Sequence, residues 1–281
     1  MTQLKISVIT WDASFRESFH TVDFFGNQSF PPGEYEFIWV EYYSDVNPRL
    51  REKISLLENA RMICLRGEGE WHLGKCLNEG IRQSRGKVLV ICDGDITVEP
   101  DFLDTVWGIH KKMNSLVLYF RRWDEPKSAH EPSITLYHLQ EVCRLWNSTN
   151  YGGCLTTRRK CIDYVGGYEE HLIFGGAGAI SKELYTRLKN VGFPIMWHPS
   201  KKIYHPWHTN TLKGEHNLKL DQQLWVIQCR DLSVDHVASA EQAGLYLSGF
   251  TSQTERPKSS IRSIGHKIKN VFRETQLLGK K

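Results

Sequence analysis

Lys87-Val-Leu-Val-Ile-Cys92 constrains this chain more than any other stretch, because it is apolar almost throughout and runs directly into Asp93-Gly94-Asp95. A strand that shows no polar alternation has no solvent face, so helices must cover it on both sides, as in a parallel sheet. Lys5 to Thr10, Glu36 to Glu41 and Arg61 to Leu65 read as further short strands. Leu73, Cys76, Leu77 and Ile81 fall at helical spacing between Trp71 and Arg85, with Gly86 as the stop. Pro100 suits the first turn of a helix carrying Phe102, Leu103, Val106 and Trp107. Strands alternating with helices in this way predict an α/β fold of the doubly wound, Rossmann-like kind. Ligands in such sheets sit at the carboxyl ends of the strands, which is where Asp93-Gly94-Asp95 falls.

The second half is less regular. Ser115 to Phe120 reads as a strand, Arg121 to Thr149 as polar and loop-rich, and Arg159 to Val165 as a helix after Gly152-Gly153-Cys154. Ser181 is placed to cap a helix bearing Leu184, Leu188 and Val191, with Gly192 as its stop. Residues 211 to 230 read as one more helix and 248 to 260 as a polar linker.

The 281 residues carry 36 Lys and Arg against 32 Asp and Glu, but this balance is uneven. Eight basic residues and one acid fall between Arg256 and Lys281, a local +7, so the remainder is at −3. A general nucleic-acid surface is not expected. No apolar run approaches the roughly 20 residues that span a bilayer, and the opening residues lack a signal-peptide pattern. Seven cysteines with no Cys-x-x-Cys pair fit buried thiols in a cytoplasmic protein.

Two carboxylates on a tight turn after a buried strand suit a divalent cation that neutralises a nucleotide diphosphate and its leaving group. Asp-x-Asp alone is common in turns; its place after this strand gives it weight. Gly74, Asn78-Glu79-Gly80-Ile81, Arg85-Gly86-Lys87 and Val90 to Asp95 resemble the donor-binding half of family 2 glycosyltransferases, which have the GT-A fold. Tyr151-Gly-Gly-Cys-Leu155, Val165-Gly-Gly-Tyr-Glu-Glu170 and Lys201 to His208 are similar to the family's acceptor-side and late segments. The resemblance covers roughly residues 4 to 210.

It implies a metal-dependent transfer of a sugar from a nucleotide-diphosphate sugar, with UDP favoured, to a glycan, lipid-linked or other hydroxyl acceptor. Asp95 would ligate the metal, Asp93 would contact ribose or the metal through water, and His205 would complete the site, with His208 competing. Imidazole favours Mn²⁺ over Mg²⁺. Thr10, Asp12 and Glu41, at the ends of the first two strands, together with Asn78 and Gly94, fall where donor contacts are implied, although a strand end can also be merely solvated. Trp146, Tyr151 and Trp207 are candidates for stacking on sugar rings or for the core.

The pattern breaks at the catalytic base. Inverting members carry an acidic pair where Ile180 and Ser181 stand, within Phe174-Gly-Gly-Ala-Gly-Ala-Ile-Ser181. Glu169, Glu170 or Glu183 could supply the base; alternatively the enzyme retains configuration, or the chain is a non-catalytic binder. A sugar nucleotidyltransferase would need a Gly-rich basic loop after the first strand, which Thr10 to Arg16 lacks. The expected organisation is a donor half over 1–112, an acceptor half over 113–210, a helical extension over 211–247, and a linker with a basic amphipathic tail over 248–281. In that tail Ile261, Ile264, Ile268, Val271 and Phe272 share a helical face, the pattern of peripheral attachment to an anionic inner membrane surface or of a terminal helix docked on its own domain.

Overall fold

A computed structural model describes residues 4–176, 178–209 and 216–229. Among these, seven strands form one sheet: β1 (Ile6–Asp12), β2 (Tyr35–Glu41), β3 (Ala60–Cys64), β4 (Val88–Cys92), β5 (Val117–Asp124), β6 (Cys154–Arg158) and β7 (Ile195–His205). They lie in the order β3-β2-β1-β4-β6-β5-β7. The first four are parallel; β6 is antiparallel to both β4 and β5, and β7 pairs parallel with β5. The helices are α1 (His20–Gly26), α2 (Pro48–Ser55), α3 (Leu73–Gln83), α4 (Phe102–His110), α5 (Leu136–Val142), α6 (Arg159–Tyr164), α7 (Ile180–Asn190) and α8 (His216–Cys229).

The apolar strand behaves as its composition predicts. Val88, Val90 and Cys92 point into the core on one face of β4, and Leu89 and Ile91 into the core on the other, all buried. Each such Val, Leu or Ile contributes on the order of 1.5–3 kcal/mol of burial. The six cysteines whose surroundings are described are free thiols, as expected. Among the described residues no helix is long and apolar enough to cross a membrane.

Several local expectations are corrected. Gly86 does not stop α3, which is capped at Ser84; it is glycine because a Cβ there would strike the backbone of Ile6 and Ser7. Pro100 precedes α4, whose N-cap is Asp101. Ser181 lies inside α7, and Ala179 holds the cap position. Polar residues disguised the continuation of β5 through Arg121 and Arg122 to Asp124, and α5 in the stretch expected to be loop. The extension yields α8; residues 230–281, including the linker and basic tail, lie outside the described residues.

Candidate active site

Asp93 and Asp95 follow β4 directly, at the carboxyl end of the parallel strands. Asp93 N–H donates to the Gly153 carbonyl at 3.2 Å, and Thr97 and Tyr204 exchange both backbone hydrogen bonds at 2.7 and 2.9 Å. That two-residue bridge ties the turn after Asp95 to the end of β7. It brings His205 to Asp95 across more than a hundred residues of sequence.

The result is a three-ligand cluster. Nε2 of His205 and Nε2 of His208 lie 3.2 Å apart. They stand 3.7 Å from Asp95 Oδ1 and 3.6 Å from Asp95 Oδ2, respectively. Asp95 Oδ1 is buried without a hydrogen-bond partner. Two imidazole nitrogens set against one carboxylate, one of whose oxygens is orphaned, fit a divalent cation, whose bonds of about 2.1 Å set neighbouring ligands about 3 Å apart. His205 Nδ1 lies 3.0 Å from Asp124 Oδ1, so that carboxylate turns Nε2 towards the cluster. The pairing follows from register, because Asp124 and His205 are partners in the β5–β7 ladder. Burial disfavours a charged His205, but Asp124 and Asp95 outweigh it and raise the imidazole to about 9.

Arg16 is the other cation in the site. Its side chain is 8% exposed and bridges Asp12 and Asp95: Nη1 donates to Asp12 Oδ1 at 2.8 Å, and Nε donates to Asp95 Oδ2 at 3.2 Å. Asp95 is held well below the usual carboxylate range: burial opposes ionisation, but the Arg16 charge and His205 outweigh it. Asp93, with no such clamp, is pushed up by burial and by Asp95; Arg122 Nη1 is 3.9 Å away.

On the other side of Asp12 lies a recess of about 260 Å³ lined by Ser14, Glu41, Asp45, Asn47 and Pro48 among others. Glu41 Oε1 accepts from Ser14 N at 2.7 Å, a contact for which Ser14 adopts φ +56°. Burial and then the neighbouring Asp12 charge lift Glu41 to about 7.

The other expected site residues are placed as follows. Asn78 Nδ2 donates to the Tyr168 carbonyl at 2.9 Å and to Glu170 Oε1 at 2.7 Å, and its Oδ1 accepts from Tyr168 N at 2.8 Å. Asn78 therefore braces the turn at Tyr168 to Glu170. Thr10 Oγ1 is buried, and Gly94 is glycine because a Cβ would lie 2.8 Å from the Trp11 carbonyl. Glu183 is 1% exposed and paired with Arg187 at 2.6 Å, so it anchors α7. Glu169 is fully buried, and its Oε1 accepts from the N–H groups of Glu170 and His171. Glu170 keeps partial exposure. At the family's acidic positions Ile180 is buried in the core, and Ser181 Oγ lies beside Gly152, which borders Asp93. Tyr151 packs on Tyr119, Tyr185 and Trp197, Trp207 lies against His130, and Trp146 is 72% exposed.

Arg16, Arg122 and Asp124 were not foreseen from sequence. Arg16 carried a weak signal, four residues after Asp12 in the loop beyond the first strand. Asp124 carried none, since only strand register places it behind His205.

The profile of Glycosyl transferase family 2 matches residues 21–189, more than half of the chain. No curated protein matches the sequence. Solved structures that share the fold include the following three. S. aureus TarS in complex with UDP-GlcNAc aligns at TM-score 0.59 and 18% identity over 88% of this chain and 72% of that one. GalNAc-T7 with UDP, GalNAc and Mn²⁺ aligns at 0.58 and 13% over 80% and 48%. The mannosyltransferase PcManGT from Pyrobaculum calidifontis, with GDP-Man and Mn²⁺, aligns at 0.54 and 12% over 95% and 81%.

Proposed function

Given that the chain belongs to glycosyltransferase family 2, we propose that it moves a sugar from a UDP-sugar to a hydroxyl acceptor, with Mn²⁺ held by Asp95, His205 and His208. The observation that carries this reading is the cluster of Asp95, with its orphaned Oδ1, and the imidazole nitrogens of His205 and His208 at the carboxyl end of the parallel strands. A cation there supplies Lewis-acid neutralisation of the leaving diphosphate. The nucleoside is assigned to the recess beside Asp12 and Glu41, whose carboxylates suit ribose hydroxyls and a nucleobase N–H. Asp93, on the side of Gly152 and Ser181, is assigned to the ribose or to water on the cation.

Of the three glutamates considered as base, Glu170 is the one left partly exposed, and it is the carboxylate we assign to the acceptor side. A second reading, a nucleotide-sugar binder without turnover, is favoured by Ile180 and Ser181 standing where the family carries acids. Release of UDP from UDP-sugars in the presence of Mn²⁺ separates the two.

The direct test is substitution at the cluster. Asp95→Ala is expected to abolish Mn²⁺-dependent UDP binding while leaving the melting temperature within a few degrees. His205→Ala should raise the half-saturating Mn²⁺ about 10- to 100-fold, and more than His208→Ala does. His205 is backed by Asp124, whereas the side chain of His208 is 53% exposed. Near-normal turnover of Asp95→Ala at saturating Mn²⁺ would refute the cation site.

A further inference from the structure

Arg16 is a planar guanidinium fixed among carboxylates, at a place where a cation and a diphosphate are to meet. One side of it holds Asp12 and the Trp11 carbonyl at 2.8 and 2.9 Å. The other lies 3.1–3.2 Å from Asp95 Oδ2. Its carbon centre sits over the rings of Trp11 and Phe15, 5.2 and 4.9 Å from the centroids, which fixes the plane of the fork. Oδ2 of Asp95 is thus neutralised by Arg16, with His208 Nε2 3.6 Å away, while Oδ1 has no hydrogen bond and faces His205 Nε2 at 3.7 Å.

This division has an electrostatic consequence. A positive charge bound to one oxygen of a carboxylate weakens the attraction of the other oxygen for a cation. In a buried site of low effective dielectric this repulsion is large compared with thermal energy. A diphosphate drawn to a cation held by Asp95, His205 and His208 would bring its negative charge near the guanidinium, and arginine's fork matches phosphate oxygens as well as it matches a carboxylate. Its arrival converts Arg16 from a competitor of the cation into a partner of the nucleotide. Coupling of this kind is reciprocal: the nucleotide strengthens cation binding by the same factor that the cation strengthens nucleotide binding.

We propose that Arg16 makes cation and nucleoside diphosphate binding interdependent, holding cation affinity low in the empty enzyme and releasing Asp95 when the diphosphate arrives. The proposal rests on the cation reading of Asp95, His205 and His208 given above.

The experiment titrates Mn²⁺, by its free-ion paramagnetic resonance signal, into the full-length chain with and without UDP. In the wild type UDP should tighten Mn²⁺ binding strongly. Arg16→Gln should bind Mn²⁺ about tenfold or more tightly without UDP, since a neighbouring positive charge is gone. UDP should then add little, and Mn²⁺ alone should raise the melting temperature of this variant but not of the wild type. If Arg16→Gln binds Mn²⁺ no more tightly than the wild type, or keeps the full effect of UDP, the proposal is overturned.

Should that variant fail to fold, Arg16→Lys decides. Its compact ammonium cannot span Asp12 and Asp95 as the fork does, so weaker coupling is expected, and wild-type values would reject the idea. Wild-type protein that binds no Mn²⁺ even with UDP, or Asp95→Asn that binds it normally, sinks the cation reading itself. A wild-type site lost in Asp95→Asn but unaffected by Arg16 leaves that reading standing and removes only the coupling.

Discussion

At the scale of single residues the site is a set of charges balanced by burial. Glu41 shows this most clearly, because its carboxyl is lifted to about 7 from the ordinary 4.5, first by burial and then by Asp12. Between those values the unfolded chain releases a proton that the folded chain keeps. Stability therefore falls as pH rises from about 4.5 to about 7 and stays at the lower level above, a loss on the order of 3 kcal/mol. Glu41→Gln retains an acceptor for Ser14 N and removes the buried charge. Its melting temperature should exceed that of the wild type at pH 8, with the difference closing by pH 5. Equal stability of the two proteins at pH 8 would show that Glu41 is not held up. Ser14 and Glu41 also illustrate what a sequence hides: the strand end was visible, but the left-handed turn that delivers the Ser14 N–H to it was not.

Elements meet at the glycine-rich stretch before α7. Gly176 and Gly178, before α7, are each crowded by a side chain. A Cβ on Gly176 would lie 2.6 Å from Glu70 Oε1, and one on Gly178 would overlap Gln223 Oε1. Gln223, fully buried on α8, accepts from Ala179 N at 2.6 Å and donates to the Ile173 carbonyl at 2.8 Å. One glutamine of α8 therefore ties the residues on either side of these glycines, and Gly178 is what lets it come so close. Gly178→Ala should cost on the order of 3 kcal/mol through overpacking and a backbone at φ +155°. Adding Gln223→Ala should recover part of that loss, a non-additivity read from thermal melts of the two single variants and the double. If the double variant loses the full sum, the clamp is absent. The sequence shows these glycines without a reason for them; the close approach of Glu70 and Gln223 supplies it.

For the whole molecule the question is what the basic tail does, since residues 256–281 carry a net +7 against −3 elsewhere. Among the described residues the core closes without this segment: both faces of the sheet are covered by α1 to α8, with Val226 and Ile227 of α8 buried. Deleting 256–281 is therefore expected to leave the melting temperature nearly unchanged. If the tail lies on a membrane, each basic residue near an anionic surface contributes on the order of 1 kcal/mol, screened by salt. Full-length protein should then sediment with anionic vesicles, less so as salt rises, and the truncated protein should not. Indifference to vesicles at low salt, or unfolding on truncation, assigns the tail to the fold instead.

The sequence by itself determined the strand before Asp93, the parallel α/β sheet around it, and the pair of aspartates at its carboxyl end. These are local matters: a short apolar run without alternation, rich in β-branched residues and bounded by Gly86 and Gly94, reads as a doubly covered strand, and the turn after it lies at one edge of the sheet. Glu183 was ambiguous on the same grounds, for nothing in its neighbourhood says that Arg187, one turn on, will bury with it. What the tertiary structure decided is which distant groups share charge. The Thr97–Tyr204 bridge brings His205 to Asp95, strand register puts Asp124 behind His205, and Arg16 folds back onto Asp95. Electrostatic energy depends on separations of a few ångströms in a desolvated space, and those separations are set by chain crossings that no local pattern encodes.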